Sequence, residues 1–354
     1  MIKYLGSKRL LLPWILEVVA SLPRVRSVLD LFSGTSRVGH ALKARGYRVV
    51  ANDHLAFAHV LARCYVQADR ERWAASAARL LAELDRLPGR PGYITETFCL
   101  KSRFFHPRNG ARIDAIREAI AARDLDPELE AIALASLLEA ADRVDSTTGV
   151  QMAYLKRWAP RAEQPLALRL PRLVPRPQAG PCLALGEDAL AAAATVEADL
   201  AYLDPPYNQH SYLGNYHVWE SLVRWDKPAV YGVACKRVDC RVRKSPFNSR
   251  RRAEAALRAV VRALGCRYLL VSFNDEGHLP REALLRVLRE RGRVTVLARP
   301  HPRYVGARIG IHNPRGERVG RVGRLRNREF LFLVTPEDEL WAPPPALAGT
   351  LEAA

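Results

Sequence analysis

The chain has 354 residues, with 55 Lys and Arg against 37 Asp and Glu, a formal net charge of +18. A chain of this length buries roughly 75% of its unfolded surface, so it needs no staple. Its six cysteines, at 64, 99, 182, 235, 240 and 266, form no C-x-x-C pair and have no histidine at zinc-like spacing, which argues for reduced cytoplasmic thiols over a disulfide framework or a zinc site.

No run of about 18 apolar residues marks a membrane span. The basic balance reads either as the Arg and Ala usage of a GC-rich genome or as the footprint of a polyanionic partner. Residues 8–22 predict a helix with Ser7 as its N-cap and Pro13 near its first turn. The same stretch resembles a secretory signal only loosely, because Pro13 and Glu17 interrupt it and no small-residue cleavage site follows; a cytoplasmic protein is expected.

In "SVLDLFSG" a short buried strand over Val28–Phe32 ends at Ser33-Gly34. "SRVGHALKARG" predicts a helix closed by Gly46, and "YRVVANDH" a second buried strand ending at Asn52-Asp53. Strand, helix, strand within about 30 residues is a βαβ unit, the building block of parallel sheets. From about 60 to 180 the pattern turns helical, with clear periodicity over 56–86 and 111–142, and the proline-rich "PLALRLPRLVPRPQAGP" closes the stretch. Strand patterns return in "PCLALGEDA", "ADLAYLDPP", "CRYLLVSFNDEG", "GRVTVLARP" and "EFLFLVTP". Helices fill the gaps: "HVWESLVRW", "RAEAALRAVVRALG" and "PREALLRVLRERG". The expected architecture is α/β, a mostly parallel sheet flanked by helices. A helical insertion at 61–179 divides a catalytic domain made of 1–60 and 180–335, and 336–354 is expected as a flexible tail.

Ligands of open α/β sheets bind beyond the carboxyl ends of the strands, so the strand ends carry the functional reading. "DLFSGT" offers small residues that let a ligand approach the backbone. Asp53 can accept both hydroxyls of a ribose, and Asp188 in "GED" can receive an adenine amino group. The G-x-G-x-x-G spacing of a dinucleotide site is absent.

The segment "LDPPY", 203–207, stops an apolar strand with two prolines, which a central strand cannot contain. An exocyclic amine on a base is a poor nucleophile because its lone pair is delocalised into the ring. Two rigid acceptors aimed at its two hydrogens favour a pyramidal nitrogen. The Asp204 carboxylate supplies one, the Pro205 carbonyl, freed from the ladder, supplies the other, and Tyr207 offers a face for stacking.

With these residues in view, the chain resembles the Dam-like adenine-N6-specific DNA methyltransferases. "DPPY" matches their catalytic motif, "LDLFSGTSRVG" their S-adenosylmethionine motif, and "KYLGSK", 3–8, their N-terminal motif; "GEDA" and "VSFNDEG" fall where later motifs fall. The resemblance covers 1–60 and 180–335 and implies a Rossmann-like methyltransferase fold with a seven-stranded sheet. It implies that Tyr4 and Lys8 touch the cofactor region, and that Asp30, Phe32, Ser33, Gly34 and Thr35 line the methionine end. Asp53 is implied to hold the ribose, Asp188 the cofactor's adenine, and Asp204, Pro205, Pro206 and Tyr207 the target base, with Asp204 bordering the cofactor as well. No metal is implied. Ser36 stands where many relatives have Gly, "GSK" replaces "GGK", and the insertion matches no motif, so target specificity does not carry over.

Duplex DNA is the expected partner, in a monomer or dimer, and a cognate restriction nuclease is a candidate second partner. "CKRVDCRVRKSPFNSRRR", 235–252, supplies Lys236, Arg237, Arg241, Arg243, Lys244, Arg250, Arg251 and Arg252 for phosphates, and Lys3 is implied to reach DNA as well. Each phosphate contact steepens the salt dependence of binding by about 0.9. A second basic segment at 299–330, rich in Gly, reads as a long hairpin or lid. In the insertion, Phe98, Phe104, Phe105 and His106 alternate with Lys101, Arg103, Arg108 and Arg112, which suits either nucleic acid or a core. The expected activity is adenine-N6 methylation of DNA. The rivals are RNA adenine or cytosine-N4 methylation, or a DNA-binding relative without activity.

Overall fold

The structure, a computed structural model, describes residues 1–302 and 325–352. Most of the second basic segment, 303–324, and the hairpin or lid expected there lie outside the described residues. In chain order the strands are β1 (Ser27–Asp30), β2 (Arg48–Asn52), β3 (Leu183–Leu185), β4 (Glu197–Leu203), β5 (Val230–Tyr231), β6 (Lys236–Arg237), β7 (Gly265–Asn274), β8 (Arg293–Pro302), β9 (Arg326–Thr335) and β10 (Leu351–Glu352). The chain forms two compact units: residues 1–7, 26–192 and 210–244, and residues 8–25, 193–209 and 245–354.

In the first unit β1 pairs with β2, and β2 with β3, all parallel. The helix Arg37–Ala44 is the crossover from β1 to β2, closed by Gly46 at φ +94° as the sequence predicts. Between β2 and β3 no strand occurs among the described residues, and the segment is helical as expected. Helix Arg70–Asp85 buries Trp73, Ala77, Leu80, Leu81 and Leu84, a single stripe at the 3.6-residue period. Helix Pro127–Arg143 is buried over most of its circumference from Ala131 to Ala141 and forms the middle of this layer. Phe98, Phe104 and Phe105 are at most 1% exposed within the same core. The phenylalanines of this aromatic-basic stretch are therefore core and not a stacking surface, while Lys101 and Arg108 beside them are exposed. β5 and β6 form a small antiparallel ribbon.

In the second unit β4 and β7 pair in parallel, while β7–β9, β9–β8 and β8–β10 are antiparallel. Seven consecutive residues of β7, Tyr268–Asn274, are buried, which is why its sequence is nearly continuously apolar instead of alternating. The α/β, Rossmann-like class holds; apart from the β5–β6 ribbon the described residues contain eight strands where seven were expected. The extra strand is β10, in the segment expected as a flexible tail. That segment is packed: Leu347 is fully buried, Ala298 N–H donates to the Thr350 carbonyl, and Trp341 Nε1 donates to Ser21 Oγ at 3.0 Å. Its apolar residues have a sheet edge to cover, which composition does not reveal.

The N-terminal helix also differs. Lys8–Leu10 form a 3₁₀ turn, and the α-helix runs only over Leu12–Ala20, with Leu11 and not Ser7 at its N-cap. Pro13 is the reason: it has no N–H and clashes with the preceding turn, so it is accepted only at a helix start. Lys8 is thereby left off the helix.

Ser36, which precedes the crossover helix, has left-handed geometry (φ 57°, ψ 25°), and its hydroxyl is fully buried without a hydrogen bond among the described residues. Both features are unfavourable for a residue with a side chain. Ser36→Gly is expected to raise unfolding free energy by about 1 kcal/mol, measured by urea denaturation; a loss of stability would show that the hydroxyl is satisfied.

Candidate active site

β4 delivers the chain to Asp204 at the end of four buried residues, Leu200–Leu203. Pro205 and Pro206 cannot donate to a ladder, so the strand stops there. The loop that follows is tied back within its own unit: His278 N–H donates to the Tyr207 carbonyl at 2.7 Å, and Asn248 Nδ2 to the Asn208 carbonyl at 2.8 Å. The Pro205 carbonyl accepts no hydrogen bond among the described residues.

The Asp204 carboxylate faces Lys8, with Oδ1 3.1 Å from the ammonium. On its other side Lys8 meets Glu329 of β9, Oε2 at 3.5 Å. Glu329 sits opposite Asn274 in the β7–β9 register, and its Oε1 accepts from Asn274 and Asn327, each at 3.4 Å. Lys8 is 5% exposed, so burial works against its charge, but the Asp204 and Glu329 carboxylates outweigh burial and hold its pKa well above the usual value. Burial pushes the Asp204 carboxyl up to about 6; Lys8 opposes the rise and Glu329 adds to it. The Tyr207 ring packs edge-on against Phe273 at 5.4 Å and lies 5.8 Å from the Lys8 ammonium. Burial raises its phenol to about 12, so it stays neutral.

The first unit brings together a second set. Gly34 follows β1 with φ +52°, and a Cβ there would stand 3.1 Å from the Tyr4 ring. Gly34 N–H donates to Asp53 Oδ2, and Leu55 N–H to Asp53 Oδ1, each at 3.0 Å. Burial raises the Asp53 carboxyl, partly offset by His54 and by these two amides. Phe32 is half-buried, and Ser33 and Thr35 are buried in the same turn. Asp30 is 1% exposed and accepts from Gly39 N–H at 2.9 Å, so it ties β1 to the crossover helix. Asp188 is exposed, and its Oδ1 accepts from Leu190 N–H at 2.9 Å.

Glu329, Asn274 and Phe273 escape sequence reasoning, as does the stack of Tyr4 on Tyr212 and Tyr216, with centroids 5.1 and 4.8 Å away. The usable signals were an acid inside the apolar strand "REFLFLV" and two tyrosines four apart soon after "DPPY".

The basic residues divide by pairing. Arg237 is 1% exposed, gripped by Asp226 at 2.7 Å and by Asp239 at 3.0 Å, and cannot meet a phosphate. Arg243 pairs with Glu220 at 3.1 Å and Asp239 at 3.3 Å, and Lys3 with Asp145 at 3.0 Å and Asp142 at 3.5 Å. Arg237 therefore leaves the expected DNA-binding set, while the charges of Lys3 and Arg243 are matched internally. Lys236 is half-buried. In the first unit Arg241 and Lys244 are exposed; in the second, Arg250, Arg251 and Arg252 are exposed and form no ion pair among the described residues. The described residues contain no cluster suited to a metal and no helix long and apolar enough to cross a membrane.

An α/β frame with a small-residue turn after β1, an acid after β2 and Asp-Pro-Pro-Tyr after β4 defines a methyltransferase that acts on an amino group. The family model for the D12 class N6 adenine-specific DNA methyltransferases matches residues 4–260, and the chain belongs to that family. It is an adenine-specific DNA methyltransferase; the RNA, cytosine-N4 and inactive alternatives are not favoured. It is 32% identical over 286 residues to the type II methyltransferase M.NlaIII of Neisseria lactamica, covering 77% of this chain and 84% of that protein. It is 29% identical to the modification methylase StsI of Streptococcus sanguinis and 30% to the type II methyltransferase M.FokI of Planomicrobium okeanokoites. Those matches cover 81% and 82% of this chain but 46% and 47% of the relatives, so the chain spans about half the length of these two.

Removing Arg237 takes the buried partner from Asp226 and Asp239 and leaves them Arg224, at 3.2 and 3.9 Å, with Arg243 still on Asp239. Arg237→Ala is expected to cost about 2–3 kcal/mol, below the range for fully buried pairs because both acids keep some water, while DNA affinity of the folded fraction stays near wild type. A large affinity loss at unchanged stability would return Arg237 to the DNA surface.

Proposed function

We propose that the enzyme methylates N6 of an adenine turned out of duplex DNA, with S-adenosylmethionine as donor. The single observation that carries this reading is the strand end at 204–207. There a half-buried carboxylate is steadied by Lys8, beside a proline carbonyl that accepts no hydrogen bond among the described residues. Asp204 Oδ1 faces Lys8, so Oδ2 is the oxygen that receives one amine hydrogen, and the Pro205 carbonyl receives the other. Tyr207 stacks on the base, with Pro206 stiffening the loop. Extruding the base costs a few kcal/mol, and fixed acceptors recover rate by positioning the nitrogen. Once that nitrogen is cationic its proton is acidic, so no strongly basic group is needed.

The first unit's residues fit the donor. Gly34 lies in left-handed backbone against the Tyr4 ring, so the turn stays small, and each Asp53 oxygen, holding one backbone N–H, keeps a lone pair for a ribose hydroxyl. Tyr4, Phe32, Ser33 and Thr35 border that turn, and Asp188 is the reading's acceptor for the cofactor's adenine. When bound, the donor supplies an electrophilic methyl. Asp30 acts through the backbone. Residues 61–179 are assigned target recognition, and Lys236, Arg241, Lys244 and Arg250–Arg252 phosphate contact. A cognate restriction nuclease and a cytoplasmic site of action complete the reading.

Tritiated methyl transfer from S-adenosylmethionine to unmethylated duplex DNA, followed by nucleoside analysis, tests it; label on N4-methylcytosine would overturn it. Asp204→Ala should abolish transfer with cofactor binding largely intact, and near-normal turnover would remove Asp204 from the mechanism. Wild-type turnover should fall with a one-proton slope below about pH 6, as Asp204 protonates. Stability has the opposite sign. The folded state binds that proton more tightly than the unfolded chain, so this group's contribution rises as pH falls from about 6 toward about 4. Replacing Arg250, Arg251 and Arg252 together by Ala should shallow the log–log salt dependence of DNA binding by about 0.9 for each phosphate these arginines neutralise; an unchanged slope would place the DNA elsewhere.

A further inference from the structure

The methylation reading leaves one buried acid without a role. Glu329 is 5% exposed in β9, and nothing in the reaction proposed above uses it. Its placement is specific. The register sets it opposite Asn274, and Asn274 and Asn327 both donate to Oε1, which turns Oε2 toward Lys8. The Lys8 ammonium therefore lies between two carboxylates, 3.1 Å from Asp204 and 3.5 Å from Glu329. With Asp204 as its only partner, a buried ammonium would settle fully on that carboxylate. It would then compete with any amine for the same oxygens, because a buried cation gains most from its nearest anion.

We infer that Glu329 is a positioning residue for methyl transfer: it holds one side of the Lys8 ammonium, so that Lys8 steadies Asp204 without capturing it. The inference rests on the reading of Asp204 as the amine's acceptor. Two asparagines that donate to one oxygen of a strand-borne acid orient its other oxygen, which a role in packing alone does not require. The charged and titratable groups around this cluster are Lys8 from the 3₁₀ turn, Tyr202 from β4, Tyr207 from the proline loop, Glu276 from the loop after β7, and Glu329 itself. Glu329 raises the Asp204 carboxyl and Lys8 lowers it. Loss of the Glu329 charge removes the first influence and strengthens the second, so both act in the same direction.

The test uses the full chain with unmethylated genomic DNA and compares wild type, Glu329→Gln, Lys8→Met, the double variant and Asp204→Ala, each checked for folding by thermal melting. Glu329→Gln is expected to lower kcat roughly ten- to a hundred-fold, leave the KM for DNA nearly unchanged, and move the acid limb of kcat to lower pH. In the Lys8→Met background the same change should add no further loss. An acid limb that stays at its wild-type position, or a full additional loss without Lys8, would overturn the assignment. Should Glu329→Gln fold poorly, Glu329→Asp decides: it keeps the charge and must restore most of kcat and the wild-type limb, and failure to do so counts against the proposal. Near-normal turnover of Asp204→Ala would instead defeat the reading of Asp204, an outcome separate from the limb measured in Glu329→Gln.

Discussion

A carboxylate at the end of a buried strand is unstable as an anion unless a cation is buried with it. In this enzyme that cation is Lys8, itself 5% exposed and untenable without acids around it. The other arrangements in the second unit follow from this mutual dependence. Lys8 must leave the N-terminal helix to point inward, and Pro13 enforces this by starting the helix at Leu12. The strand must end where the carboxylate stands, and the two prolines stop it there. The loop must not drift, and His278 and Asn248 hold it by its carbonyls. A strained or floppy version of any of these would leave the ammonium or the carboxylate unpaired in a medium of low dielectric.

The first unit works by a different economy, in which backbone and not charge sets the geometry. Gly34 and Tyr4 approach so closely that a Cβ at residue 34 would press on the ring in a strained backbone, and Asp53 uses both oxygens to hold the turns around it. Ser36 is the compromise in this arrangement: a residue with a Cβ and a buried hydroxyl where the backbone is left-handed. The stacked tyrosines 4, 212 and 216 tie the N-terminal segment to the helices that follow the proline loop in the chain, and Tyr216 Oη accepts from Leu5 N–H at 2.6 Å.

The formal charge of +18 overstates what is available to DNA. Lys3, Arg237 and Arg243 each meet two acids at short range, and Lys43 is buried against Asp69 at 2.8 Å. These cations stabilise helices and loops of the first unit, and their field outside the protein is largely cancelled by their partners. Of the cations proposed for phosphate contact, Lys236 is half-buried, Arg241 and Lys244 are exposed in one unit, and Arg250, Arg251 and Arg252 are exposed in the other.

The elements legible in the sequence were those with local causes. The βαβ crossover over 27–52, the helical character of the stretch between β2 and β3, and the hard stop at 204–207 follow from periodicity and from proline and glycine, whose effects reach only a few residues. The N-terminal helix was half legible, since its existence is periodic but its start depends on one proline. Glu329 as the partner of Lys8, Arg237 as a buried ion, Phe98, Phe104 and Phe105 as core, and the packed segment at 336–352 were decided by the tertiary structure alone. The physical reason is the same in each case. An isolated acid, arginine or phenylalanine is written identically whether it faces water, DNA or a partner at the other end of the chain. Only the fold brings Lys8 and Glu329 within 3.5 Å, and only that approach makes their charges worth burying.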